Sequence, residues 1–257
     1  MKRILKIVGV AIVLLVVTAA VLIGSAFMGR QAITDGAEIN GIRIVKDGIV
    51  TVGVVPVGQN EVALIDAGND PAGKAVLAEL ARRHLGPEAV TAILLTHGHA
   101  DHTAAIRLFG KAQVMALEPD VALVEGTAGA HGPLTRLMPV KPTGVKVARA
   151  LHDGDTIMLG DFPVHVYAVP GHTQGSAAYL VDGVLFLGDA ADMYSDGTMK
   201  GSAWIFTDDQ AQDRASLVAL DQRLMRDGAN VKAIEFAHEG IVANGLAPLN
   251  AFAGRGQ

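Results

Sequence analysis

Hydrophobic and polar positions divide the chain into two unlike regions. From Ile7 to Gly29 there are 23 residues without a charge, and Thr18 and Ser25 are the only hydroxyls among them. Lys2, Arg3 and Lys6 precede this run and Arg30 closes it. At a helical rise of ~1.5 Å per residue the run reaches ~35 Å, enough to cross a hydrocarbon core. The pattern predicts one uncleaved transmembrane helix, with its amino terminus in the cytoplasm and the remainder on the outer side. A cleaved signal peptide and a secreted product form the competing reading, because Gly24, Ser25 and Ala26 are small. Secretory apolar cores usually span only ~7–15 residues, which favours the anchor. A buried core helix is the third reading, and such helices are rarely so uniformly apolar at a terminus. The expected organisation is an anchor or signal over 1–30, a linker over 31–41 and one folded domain over 42–257.

Beyond the linker, β-branched runs over 42–45, 49–57 and 62–65 are separated by Asp-Gly and Gln-Asn turns, the pattern of an antiparallel meander. Asp70-Pro71 predicts a helix start, Val76, Leu77, Leu80 and Ala81 recur at helical spacing, and Gly86 ends the element. A short apolar strand over 91–95 follows, then a helix near 103–109, a strand over 113–116 and a helix opening at Glu118-Pro119. Residues 126–143, rich in Gly, Pro and Thr, read as a loop or a lid. Further strands are expected near 145–148, 156–159, 164–169, 177–181 and 184–187, then a helix over about 208–226 and a last strand at 233–237. Hairpins, a βα alternation and a second set of strands predict an α/β domain of two packed sheets with helices outside.

Composition narrows the chemistry. There is no cysteine. This excludes a disulfide scaffold, a Cys-type zinc finger, an iron–sulfur cluster and a thiol nucleophile, so any metal is held by His, Asp or Glu. The net charge is −5, but from Gln31 onward 17 basic residues face 26 acidic ones, a charge of −9. Nucleic acid is therefore not an expected partner, since phosphate neutralisation needs clustered Lys and Arg.

Candidate chemistry gathers at the ends of apolar runs. Thr96-His97-Gly98-His99-Ala100-Asp101-His102 offers three imidazoles and a carboxylate within six residues, directly after Ile93–Leu95. Such nitrogen and oxygen donors suit Zn²⁺, and also Mn²⁺ or Fe²⁺. His172 in Pro170-Gly171-His172-Thr173, Asp189 in Gly188-Asp189-Ala190 and His238 in Ala237-His238-Glu239 repeat the arrangement after later strands. Singly, each reads as a turn or loop residue. Together they point to one shared site.

The ordered set His97, His99, Asp101, His102, His172, Asp189 and His238 resembles that of the metallo-β-lactamase superfamily, over about residues 42–243. The resemblance implies an αββα sandwich of two mixed β-sheets flanked by helices, carrying a dinuclear metal centre. It implies that His97, His99 and His172 hold one divalent ion, that Asp101, His102 and His238 hold the other, and that Asp189 bridges them. Asp66 in Ile65-Asp66-Ala67-Gly68 would support a ligand by hydrogen bonding. Two ions, zinc by expectation, acidify a shared water, and Asp101 is the expected catalytic residue that orients the nucleophilic hydroxide. The bridging Asp189 and the absence of cysteine make the chain similar to the glyoxalase II and lactonase branches. The expected function is thus hydrolysis of a small ester, thioester or lactone. β-Lactam hydrolysis, a membrane-anchored metal-binding module without significant turnover, and single-iron oxygen chemistry are the alternatives. Tyr194 and His131 are read as ordinary loop residues, Trp204, Ile205 and Phe206 as either an apolar pocket wall or core, and His84, His152 and His165 as structural.

Overall fold

The β-branched runs form strands because their side chains are wanted on two faces at once: one between the sheets and one under a helix. A computed structural model describes residues 2–255, with the side chains of 2–5, 7, 8, 11, 19 and 22 outside the described set. Helix α1 (Lys2–Ser25) precedes a seven-stranded sheet. Its strands are β1 (Glu38–Ile39), β2 (Ile42–Asp47), β3 (Val50–Gly58), β4 (Glu61–Ile65), β5 (Val90–Leu94), β6 (Gln113–Leu117) and β7 (Arg149–Leu151), neighbouring in that order. Pairing is antiparallel from β1 to β4 and parallel from β4 to β7. The second sheet begins with β8 (Thr156–Leu159), β9 (Phe162–Ala168), β10 (Ala177–Val181) and β11 (Val184–Phe186). A hairpin of β12 (Ala191–Met193) and β13 (Met199–Gly201) intervenes before β14 (Ala233–Phe236) and β15 (Gly240–Val242) complete it. The order is β15-β14-β11-β10-β9-β8, with β14 parallel to β11 and the other pairs antiparallel.

Three apolar clusters define four layers. Ile44, Ile65, Leu94, Tyr179 and Phe186 lie in the cluster between the sheets. Val54, Leu64 and Ile93, on the other face of the first sheet, join Val76 and Leu80 of α2 (Lys74–Arg82). Leu185 and Ile234, on the outer face of the second sheet, join Leu217, Leu220 and Leu224 of α5 (Gln210–Arg226) and Leu249 and Phe252 of α6 (Ala247–Gly254). The short helices α3 (Ala100–Thr103) and α4 (Val121–Val124) sit in the connections after β5 and β6. The expected sandwich of two mixed sheets and flanking helices is present.

The expected membrane span is not. Among the described residues no helix is long and apolar enough to cross a membrane. Helix α1 does form over most of the uncharged run. Membrane partnering is therefore not supported by these residues.

Local departures have local causes. The predicted helix near 103–109 breaks after α3, because Ala104 N–H and Ala105 N–H donate to Gly68 and Ala67 carbonyls rather than along a helix. Asp70 is not the N-cap residue of α2, a position that Gly73 takes. Its carboxylate accepts from Ala72 N–H in the preceding turn and from Lys74 N–H at the first helical position. The strand expected at 145–148 is displaced to β7. Val145 instead joins the helix-side cluster, and Val147 N–H donates to Glu125. Segment 126–143 contains one short 3-10 turn, Thr135–Leu137.

Candidate metal centre

Strand ends deliver the ligands to one place. The loop after β5 carries His97 and His99 into α3, which supplies Asp101 and His102. His172 follows β9, Asp189 follows β11 and His238 follows β14. All seven come together, and their donor atoms fall into three groups, each within 4.8 Å: His97, His99 and His172; His97, His102 and Asp189; and Asp101, His102 and His238. His172 Nε2 lies 2.9 Å from His99 Nδ1, and His238 Nε2 lies 3.0 Å from Asp189 Oδ2. His102 Nε2 lies 3.2 Å from Asp189 Oδ1.

The donor set fits divalent metal ions. Nε2 of His97, His99 and His102 and Oδ1 of Asp189 are buried without a hydrogen-bond partner, a costly arrangement unless a cation completes it. Burial holds the imidazoles of His97, His99 and His172 below the usual histidine range, the form that can ligate; at His97 and His172 neighbouring imidazoles push the same way. Burial also opposes charging of His102, but the carboxylates of Asp189, Asp66 and Asp101 outweigh it and hold that ring well above the range. At His238 burial is likewise outweighed by Asp189, which raises the ring to about 9. Burial alone would raise Asp189, yet His238 and His102 hold it well below the usual carboxylate range. Three neutral rings, His97, His99 and His172, beside a carboxylate that stays ionised make a cation site.

Supporting residues fix these rings. Asp66 adopts a left-handed backbone with φ of 62° and accepts from Thr96 N–H at 2.8 Å, Thr96 Oγ1–H at 2.7 Å and His102 Nδ1–H at 2.8 Å. His238 Nδ1–H donates to the Ile49 carbonyl at 2.7 Å. Gly171 has φ of 144°, and a Cβ there would stand 2.2 Å from the backbone nitrogen of Asp213. Only glycine lets the His172 loop approach α5 so closely.

Asp120 is the residue that sequence reasoning missed. It is buried at the start of α4, and its carboxylate accepts from Gly98 N–H, Thr173 Oγ1–H and Gly175 N–H, each at 2.8 Å. It thereby ties the His97–His99 loop to the His172 loop. Burial pushes its carboxyl up, against the pull of those donors. Glu118-Pro119-Asp120 looked like a helix start and carried no other signal.

The site forms the floor of a cleft of about 740 Å³ that also takes Thr135 and Met138 from segment 126–143. Tyr194 and Trp204 are not among its lining residues, although Phe206 is. Tyr194 instead bridges to Arg30 in the backbone ladder. His131 contributes its backbone N–H to Asp208.

Comparison with known proteins agrees with this geometry. The family model described as "Metallo-beta-lactamase superfamily" matches residues 45–229. A hydroxyacylglutathione hydrolase of Shewanella sp. (strain ANA-3) is 36% identical over 102 residues, covering 38% of this chain and 33% of that protein. Another, of Xanthomonas axonopodis pv. citri (strain 306), is 37% identical over 114 residues, covering 44% and 36%. These alignments span about a third of each relative's length. In fold, the chain is similar to the metallo-beta-lactamase MIM-1 from Novosphingobium pentaromativorans, with a TM-score of 0.65, 23% identity, and coverage of 89% of this chain and 90% of that one. Most of the folded domain is thus matched by one family model, and the chain belongs to the metallo-beta-lactamase superfamily of hydrolases.

Proposed function

We propose that this protein is a metal-dependent hydrolase that uses water to cleave a small ester, thioester or lactone. The observation that carries the reading is the convergence of buried, unpartnered imidazole and carboxylate atoms on the floor of an open cleft. His97, His99 and His172 would hold one ion, Asp101, His102 and His238 the other, and Asp189 both. Bound zinc ions would supply an acidified water and polarise the acyl oxygen.

The remaining work falls to this chain's side chains. The Asp101 side chain keeps 27% of its surface exposed. It is the most open of the acidic ligands, so its carboxylate can orient water towards a bound acyl group. Asp101 also accepts the proton of that water and returns it to the departing oxygen or sulfur. Asp189, held ionised by the two imidazoles, keeps a fixed negative charge between the two ligand groups. The hydroxyacylglutathione hydrolase relatives favour a thioester as the first substrate to try.

The reading also places the domain outside the cytoplasm, since Lys2, Arg3 and Lys6 precede the uncharged run whether that run is kept or cleaved. Protease accessibility of the domain in intact cells tests this, and full protection contradicts it. For the activity, the test is initial rates of the full chain loaded with zinc or manganese. The panel holds a thioester, acyl-homoserine and simple lactones, a cephalosporin and a phosphodiester. One preferred acyl class supports the proposal. A preference for the cephalosporin replaces it with β-lactam hydrolysis, and a flat panel from metal-loaded protein replaces it with metal binding alone.

A further inference from the structure

The residues that follow α1 form one wall of the cleft. Ala26 is buried, Gln31 N–H donates to the Met193 carbonyl at 2.9 Å, and Ser195 N–H donates to the Gly29 carbonyl at 2.9 Å. Arg30 pins the segment. Its Nη2 lies 2.5 Å from Asp192 Oδ2 and its Nη1 lies 3.4 Å from Glu239 Oε1, with both carboxylates buried. These acids stand three residues after Asp189 and one after His238, so the clasp joins the segment to two ligand loops.

The clasp sets what the cleft offers a substrate. Phe27 lies beside Phe206 with ring centroids 6.0 Å apart, and both line the cleft together with Ile33, Ile49 and Met138. Arg30 and Lys46 are the Arg and Lys side chains of the lining. Arg30 is paired with Asp192 and Glu239, and Lys46 makes no ion pair among the described residues. Among the described residues Lys46 is thus the one unpaired Lys or Arg side chain that the lining offers a polyanionic carrier, whereas an apolar acyl group meets five apolar side chains in the same cleft as Asp101, Asp189 and His238.

We propose that the segment after α1 is a specificity element of the active site, and that it selects substrates with an apolar acyl chain, seated against Phe27, Phe206 and Met138. The proposal rests on the hydrolase reading for its chemistry. In that chemistry the oxygen of one water joins the acyl carbon and the acyl–sulfur or acyl–oxygen bond breaks. One proton of the water goes to the leaving group, and the other leaves the acid product for solvent.

Two measurements on the full, zinc-loaded chain test it. The first is calorimetric binding of linear carboxylates from acetate to octanoate, which needs no turnover. The second is kcat/KM for acyl thioesters of one thiol over the same chain lengths. Burial of a methylene is worth ~0.8 kcal/mol, so each added carbon tightens binding about two- to fourfold until the wall ends. In Phe27→Ala and Phe206→Ala the loss grows with chain length, and Arg30→Gln, which frees the segment, flattens the series likewise. Phe27 is 44% exposed, so its variant folds even where removal of Arg30 does not. Affinity flat in chain length, or one uniform loss at all lengths in Phe27→Ala, overturns the proposal. Length-dependent binding without hydrolysis of any panel member leaves the acyl subsite standing and removes the hydrolase reading instead.

Discussion

Asp66 holds His102 through a 2.8 Å hydrogen bond from Nδ1–H to Oδ2, which leaves Nε2 as the ligating atom and aims it at Asp189. The tautomer follows from the acceptor, because a carboxylate oxygen takes a proton-bearing partner. Asp66→Ala is expected to weaken binding of the ion shared by Asp101, His102 and His238 by about 10- to 100-fold, the usual effect of losing such a partner. Competitive zinc titration checks this, and unchanged affinity contradicts it.

Asp120 makes the complementary prediction for the other ion. Asp120→Ala leaves Gly98 N–H and Gly175 N–H without their acceptor, while Thr173 Oγ1 keeps Ser176 Oγ at 2.9 Å. Each buried donor left unmet costs about 1–3 kcal/mol. The variant is expected to melt several degrees lower and to bind less zinc at the His97, His99 and His172 group. A wild-type melting temperature contradicts the tie between the loops.

Asp213 gives a pH prediction away from the ligands. It is 1% exposed, its Oδ2 accepts from Ser202 N–H at 3.1 Å, and its Oδ1 has no partner. Burial pushes its carboxyl from 3.8 up to about 7. Between those values the folded chain keeps a proton that the unfolded chain releases. Its contribution is therefore complete below the lower value and is lost as pH rises through the window, by ~1.4 kcal/mol per unit. Denaturant unfolding at several pH values is expected to show this slope, reduced in Asp213→Asn. Equal slopes in the two proteins contradict the assignment.

Removal of metal is expected to abolish activity and lower stability without unfolding the chain. The three apolar clusters are built by strand and helix packing away from the ligands, while bound ions add stability by mass action. Chelator-treated protein should keep its far-ultraviolet circular dichroism and melt at a lower temperature. Loss of the spectrum on chelation contradicts this.

How much the sequence reveals depends on how local each signal is. His97, His99, Asp101 and His102 are legible because four donors within six residues, right after an apolar strand, have no simpler use. His172, Asp189 and His238 are legible because each stands just past an apolar run. Asp120 is not, since its role exists only once the fold carries Gly98 and Gly175 to it, 22 and 55 residues away. The break after α3 escapes for the same reason, being set by carbonyls of Ala67 and Gly68 across the site. Arg30 is the instructive case. Read in sequence it closes an apolar run, but in the fold its partners are Asp192 and Glu239 beside the ligand loops.

The most direct test of the central claim is the rate of thioester or lactone hydrolysis by metal-free protein titrated with zinc. The account predicts that activity rises to a plateau at two ions per chain and that Asp101→Ala, with both ions bound, loses turnover by orders of magnitude. Turnover without metal, or a plateau at one ion accompanied by oxygen uptake, would contradict it.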